Sequence, residues 1–143
     1  MKDYVNWAIL SPGRIAAAMA EALNGIKNNN FNTPSIINKE KINLYAVASR
    51  DFSKAKDFAD KWNFSHAYGS YEELLNDPAV DAVYIANPHA FHLQSVLQCL
   101  NAKKHVVCEK PAACSVNQLT EMISLAEKNN LFFMEAMWTA FNP

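Results

Sequence analysis

The chain has 143 residues, half of them hydrophobic, with thirteen basic and fourteen acidic side chains and a formal net charge of −1. That length suits one domain with its own core, and the balanced charge without a Lys/Arg cluster excludes a dedicated nucleic-acid or membrane-surface binder. A polar amino end, no apolar run long enough for a bilayer, and Cys99, Cys108 and Cys114 without a C-x-x-C pair point to a cytoplasmic protein with reduced thiols, Cys108 acting as core filler.

Asn6 to Leu10 is a short apolar run that reads as a buried strand, and Ile15, Met19, Ala22, Leu23 and Ile26 then recur at helical spacing. Between them stands Ser11-Pro12-Gly13-Arg14-Ile15-Ala16, in the place where a Rossmann fold carries G-x-G-x-x-G/A. Ser11 occupies the first glycine position, Gly13 the second and Ala16 the third. Without a side chain at Gly13, the backbone N–H groups leading into Arg14 and Ile15 can approach a pyrophosphate, and the helix N-terminus adds partial positive charge. Taken alone, the turn reads equally well as an ordinary strand-to-helix connection. Asn24 to Lys41, Asn-rich and carrying Pro34, reads as a long surface loop.

The second strand, Ile42 to Ala48, ends in Ser49-Arg50, where most NAD-binding versions of the motif place an acidic residue against the ribose 2′-hydroxyl. Arg50 offers a guanidinium fork to a 2′-phosphate and Ser49 a small hydrogen-bond donor, which favours NADP while leaving NAD open. The plain alternative for Arg50 is a solvated charge near a helix start. Asp51 or Ser53 is positioned to cap a helix with Ala55, Phe58, Ala59 and Trp62 on one face. His66 to Tyr68 suits a short third strand. Ser70 and Glu73 form a capping-box pattern for a helix through Leu75 that Asp77-Pro78 ends.

Ala82 to Ala86 is a fourth strand, polar only at Tyr84, followed by Asn87-Pro88-His89-Ala90-Phe91-His92 and a helix with Leu93, Val96, Leu97 and Leu100. The two histidines lack Cys, Asp or Glu neighbours to complete a tetrahedral set, so no metal is expected. Asn87 and His92 fit polar contacts on the wall of a nicotinamide pocket at the strand tip; His92 alternatively caps or packs the helix start. His105 to Cys108, the fifth strand, runs into Glu109-Lys110-Pro111, and the carboxyl end of such a strand is where open α/β sheets bind ligands. Pro111 biases Lys110 toward an extended backbone, presenting its ammonium group from a stiff turn. Ser115 and Gln118 cap a helix bearing Leu119, Met122, Ile123 and Ala126, and Leu131 to Met134 makes a sixth strand, with Phe132 read as core. Such alternation specifies an α/β doubly wound parallel sheet of the Rossmann type, with helices on both faces, over residues 1–143.

Together the Ser11 to Ala16 turn, Asn87-Pro88-x-x-x-His92, Glu109-Lys110-Pro111 and Met134-Glu135-Ala136-Met137-Trp138 resemble the N-terminal domain of the glucose-fructose oxidoreductase / inositol dehydrogenase (Gfo/Idh/MocA) family, nearest its dihydrodiol and D-xylose dehydrogenase branch. The resemblance implies a nicotinamide-dependent dehydrogenase of a sugar or cyclic diol, with Lys110 beside the nicotinamide and the substrate hydroxyl, and Glu109 shaping its turn. It also implies a C-terminal substrate domain, which is absent from this chain, and is compatible with a homo-oligomer. The chain departs from the family at Ser11, at His89, where asparagine is frequent, and at Ala140, where an arginine commonly follows the Trp-Thr pair. A non-catalytic dinucleotide-binding or partner-docking module is the rival expectation, with Met137, Trp138 and Phe141 as candidates for the contact surface.

Overall fold

The computed structural model describes residues 4–28 and 41–137. Strand and helix alternate in the expected order: β1 (Val5–Leu10), α1 (Arg14–Lys27), β2 (Ile42–Ala48), α2 (Phe52–Trp62), β3 (His66–Tyr68), α3 (Tyr71–Asn76), β4 (Ala82–Ile85), a 3-10 turn (His89–Phe91), α4 (His92–Asn101), β5 (His105–Cys108), α5 (Val116–Lys128) and β6 (Phe133–Glu135). The strands form one parallel sheet in the order β3-β2-β1-β4-β5-β6. Chain order runs outward in opposite directions from β1 and β4, so a topological switch lies between their carboxyl tips. Ligands of doubly wound sheets bind there.

Side-chain alternation along the strands divides the core in two. Ala8, Leu10, Val83, Ile85, Val106 and Cys108 face Val96, Leu100, Met122 and Ala126 of α4 and α5. On the opposite face Ile9, Leu44 and Val47 meet Ala16, Ala20 and Leu23 of α1 and Ala55 and Ala59 of α2. Ser70 and Ser115 accept the third backbone N–H of their helices, and Asp51 accepts that of Ser53, so Asp51 rather than Ser53 is the cap of α2.

Volume at the helix–sheet contact corrects several expectations. The buried face of α1 is Ala16, Ala20 and Leu23, because small residues let a helix lie close on the sheet; Ile15 is 44% exposed. On α5 the buried residues are Met122 and Ala126, while Leu119 and Ile123 face outward. Asn24 to Lys27 belongs to α1 rather than to a loop: Asn24 Nδ2 donates to the Trp62 carbonyl at 2.9 Å and ties the end of α1 to that of α2. The remainder of that expected loop, from residue 29 to 40, lies outside the described residues, as do Trp138, Ala140 and Phe141. Phe132 is 55% exposed rather than core, since β6 starts one residue later and is an edge strand.

Candidate functional site

At the β1 tip Ser11 takes φ 72°, the left-handed region that glycine enters freely, and its N–H donates to the Ala48 carbonyl at 3.0 Å. That bond joins the β1 and β2 tips and turns the chain toward α1. Gly13 is the N-cap of α1 and supplies no side-chain cap, so the first N–H groups of the helix are left to whatever lies in front of them. A Cβ built on Gly13 meets no atom within 4 Å. Space and donors therefore coincide, which is what an anion such as a pyrophosphate requires. Pro12, Gly13 and Arg14 line an open groove of about 390 Å³ with Lys54 and Lys61 of α2, two cations that the sequence pattern did not single out.

A second cavity, of about 300 Å³, collects residues from three strand tips: Ser11 after β1, Arg50 after β2, and Asn87 and Pro88 after β4. Tyr71 and Phe91 supply aromatic wall. Asn87 is 7% exposed; its Nδ2 donates to Ser95 Oγ at 2.8 Å, and its Oδ1 is buried without a partner among the described residues. An unmet acceptor and apolar walls suit a ligand that carries both a flat ring and N–H groups. Ser49 does not line this cavity. Its Oγ accepts the Asp51 N–H at 3.2 Å and its N–H donates to the Tyr68 carbonyl at 3.2 Å, so it shapes the bend that carries Arg50.

Past β5, Lys110 is exposed and takes part in no ion pair among the described residues, and its peptide bond to Pro111 is cis. Three long-range hydrogen bonds hold its turn. The Tyr84 hydroxyl on β4 donates to Glu109 Oε1, and Glu109 Oε2 accepts the Lys110 N–H at 3.1 Å. Glu135 Oε1 on β6 accepts the Ala112 N–H at 2.7 Å. His92, opening α4, sets Nδ1 at 2.8 Å from the Pro111 carbonyl and Nε2 at 2.9 Å from the Asn87 carbonyl. With 1% exposure and both nitrogens engaged, His92 braces the pocket wall from behind instead of offering a polar contact into it.

Electrostatics separates structural groups from reactive ones around this turn. Burial first, then the hydrogen bond to Glu109 and its charge, push the Tyr84 phenol far up, so it stays a donor and does not exchange protons near neutrality. Burial, with the Glu109 and Glu135 carboxylates adding to it, pushes the Cys108 thiol up to about 12, in keeping with a place in the core. Tyr84 and Glu135 were missed as site residues on sequence. The available signals were the one polar side chain in β4 and the position of Glu135 within Glu135-Ala136-Met137. Among the described residues no three His, Cys, Asp or Glu side chains gather as a metal site, and no helix is long and apolar enough to cross a membrane.

Comparison with known proteins sharpens this geometry. Residues 5–137 match the model of an oxidoreductase family, GFO_IDH_MocA, described as an NAD-binding Rossmann fold. The chain is 40% identical over 139 residues to trans-1,2-dihydrobenzene-1,2-diol dehydrogenase of Danio rerio and 39% identical to that of Homo sapiens, covering 97% of this chain and 38% of each relative. Those relatives are thus much longer than the 143 residues here. Among solved structures, an NAD-binding oxidoreductase from Klebsiella pneumoniae superposes with a TM-score of 0.82 at 32% identity, covering 93% of this chain and 34% of that one. A 3-ketoreductase from Actinomadura kijaniata, in complex with TDP-benzene and NADP, superposes with a TM-score of 0.83 at 26% identity, covering 98% and 40%.

Proposed function

The chain belongs to the Gfo/Idh/MocA oxidoreductase family, and we propose from that premise that it is the cofactor-binding domain of an NADP-dependent dehydrogenase acting on a cyclic diol or related sugar. The observation that carries this reading is the single cavity in which Ser11, Arg50 and Asn87 meet from three strand tips. Topology assembles them around the switch point between β1 and β4, and Lys110 follows β5, the strand beside β4. The dihydrodiol dehydrogenases it resembles supply the substrate class.

On this reading Gly13 and the first N–H groups of α1, with Arg14 and Ile15 at its start, hold the pyrophosphate. The adenine end would lie against Tyr71 and Phe91, Arg50 would meet the 2′-phosphate, and Asn87 and Pro88 would wall the nicotinamide half. When bound, the nicotinamide supplies the hydride acceptor or donor. Lys110 holds or moves the proton of the substrate hydroxyl at its Nζ, and Glu109, fixed by Tyr84, keeps the lysine backbone in place. Further contacts to substrate come from a second domain outside these residues.

Calorimetric titration with NADP⁺ and NAD⁺ tests the assignment. The wild-type chain binds NADP⁺ more tightly, and Arg50→Ala weakens NADP⁺ about 10- to 50-fold while NAD⁺ stays within about twofold, the size of a lost charge-assisted bond at an exposed site. Equal affinities, unchanged by the substitution, remove the NADP preference. Binding of neither dinucleotide by the complete gene product removes the reading itself.

A further inference from the structure

His92 stands out because its ring is spent on backbone. Both partners, the carbonyls of Asn87 and Pro111, can only accept, at 2.9 Å and 2.8 Å. A neutral imidazole donates to one of them and packs against the other, whereas a doubly protonated ring donates to both. One end of the span is the wall of the cavity that collects Ser11 and Arg50. The other is the residue that follows Lys110. With the ring 1% exposed and seated at the first position of α4, it has no room to swing away.

We propose that His92 is a positioning residue for Lys110: a strut that fixes the spacing between the cofactor wall at Asn87 and the Glu109-Lys110-Pro111 turn, and so places the lysine Nζ against the substrate hydroxyl. This rests on the dehydrogenase reading above, in which Lys110 handles the substrate proton. Tyr84 ties β4 to the same turn through Glu109, and Glu135 ties β6 to it through Ala112, but neither bonds Asn87, the residue on the cavity wall. Of these three, His92 alone bonds Asn87 on the cavity wall as well as the turn that carries Lys110. A misplacement of about 1 Å in such a constellation costs up to about 100-fold in rate without weakening the binding of either component.

The test compares His92→Phe, which keeps a flat ring and removes both nitrogens, with His92→Gln, which keeps an amide donor. Oxidation of trans-1,2-dihydrobenzene-1,2-diol with NADP⁺ by the complete gene product gives kcat and KM, calorimetry gives the Kd for NADP⁺, and amide exchange follows the Ala112 N–H against Val83 in the core. His92→Phe lowers kcat about 10- to 100-fold, leaves the NADP⁺ Kd within about threefold, and speeds exchange at Ala112 at least about tenfold while Val83 is unchanged. His92→Gln recovers kcat to within about fivefold of wild type. Unchanged kcat and exchange in the Phe variant overturn the strut; so does faster exchange at Ala112 and Val83 alike, which marks general loosening, and so does a loss confined to the NADP⁺ Kd. If the wild-type protein shows no nucleotide-linked turnover, the dehydrogenase reading fails, and exchange at Ala112 still decides whether His92 ties the turn.

Discussion

Gly13→Ala adds one methyl group at the amino end of α1, where a Cβ meets no atom within 4 Å and the backbone sits at φ −150°, ψ −170°, an extended conformation open to any residue. In the free protein nothing has to move. The unfolded chain loses conformational freedom, a gain of about 0.4–1 kcal/mol, which the poorer fit of alanine than glycine at an N-cap offsets, so stability stays within about 0.5 kcal/mol. Dinucleotide binding does respond. A pyrophosphate must come within hydrogen-bond distance of the first N–H groups of the helix, and the methyl group occupies the approach. Loss of one such bond to a charged acceptor costs about 1.5–3 kcal/mol, or about 10- to 100-fold in Kd, and NADP⁺ and NAD⁺ suffer alike because both carry the pyrophosphate. Urea denaturation and calorimetric titration of the same preparation read the two effects separately. Unchanged affinity for both nucleotides would refute a cradle at Gly13, and a loss of stability above about 1 kcal/mol would refute the open space in front of it.

Lys110→Met, with its aliphatic stem retained, is expected to lower kcat at least about 100-fold in steady-state assays with NADP⁺ and dihydrodiol, while the calorimetric Kd for NADP⁺ stays within about twofold. Ser11→Gly relieves the left-handed backbone at φ 72°; a strain of about 1–2 kcal/mol, less about 0.5–1 kcal/mol for the freer unfolded glycine, leaves a net gain near 0.5 kcal/mol and a Tm higher by about 2 °C in a thermal scan. Asp77 accepts the hydroxyls of Tyr68 and Tyr45 at 2.7 and 2.9 Å and the Ala79 N–H at 2.8 Å. Burial works to raise its pKa, but these bonds outweigh it and hold the carboxyl below its ordinary value. Because the folded pKa is the lower one, this stabilisation is complete above the unfolded value of about 3.9 and is lost as pH falls through and below it. Asp77→Asn is expected to cost about 1–2 kcal/mol at pH 7, discounted for partial exposure, and to show a shallower fall in urea midpoint between pH 5 and 3 than the wild type.

What could be read directly from the sequence is what sits close together along it. The caps at Asp51, Ser70 and Ser115 act over two or three residues, and the alternation of apolar runs with helical stripes specified the doubly wound sheet, as found. The turn at Ser11 to Ala16 was legible for the same reason: strand, glycine and helix start are contiguous. Where neighbouring residues were close in hydrophobicity, the pattern put Ile15 and Ile123, which are exposed, beside Leu23, Met122 and Ala126, which are buried, because the fit of side-chain volume against the sheet decides between them.

The bonds that hold Lys110 were beyond such a reading, and parallel topology is the physical reason. Adjacent tips of a parallel sheet are separated in sequence by a whole crossover, so the partners of the Lys110 turn lie 25 residues away at Tyr84, 19 at His92 and 23 at Glu135. No local pattern distinguishes a histidine that faces a ligand from one that spans two carbonyls; the register of β4 on β5 and of β5 on β6 does. It follows that the lysine can be set in place only after β4, β5 and β6 have paired. On the proposed role of Lys110, a substitution that loosens any one of these three strands therefore acts on turnover through the turn, at residues that never meet substrate.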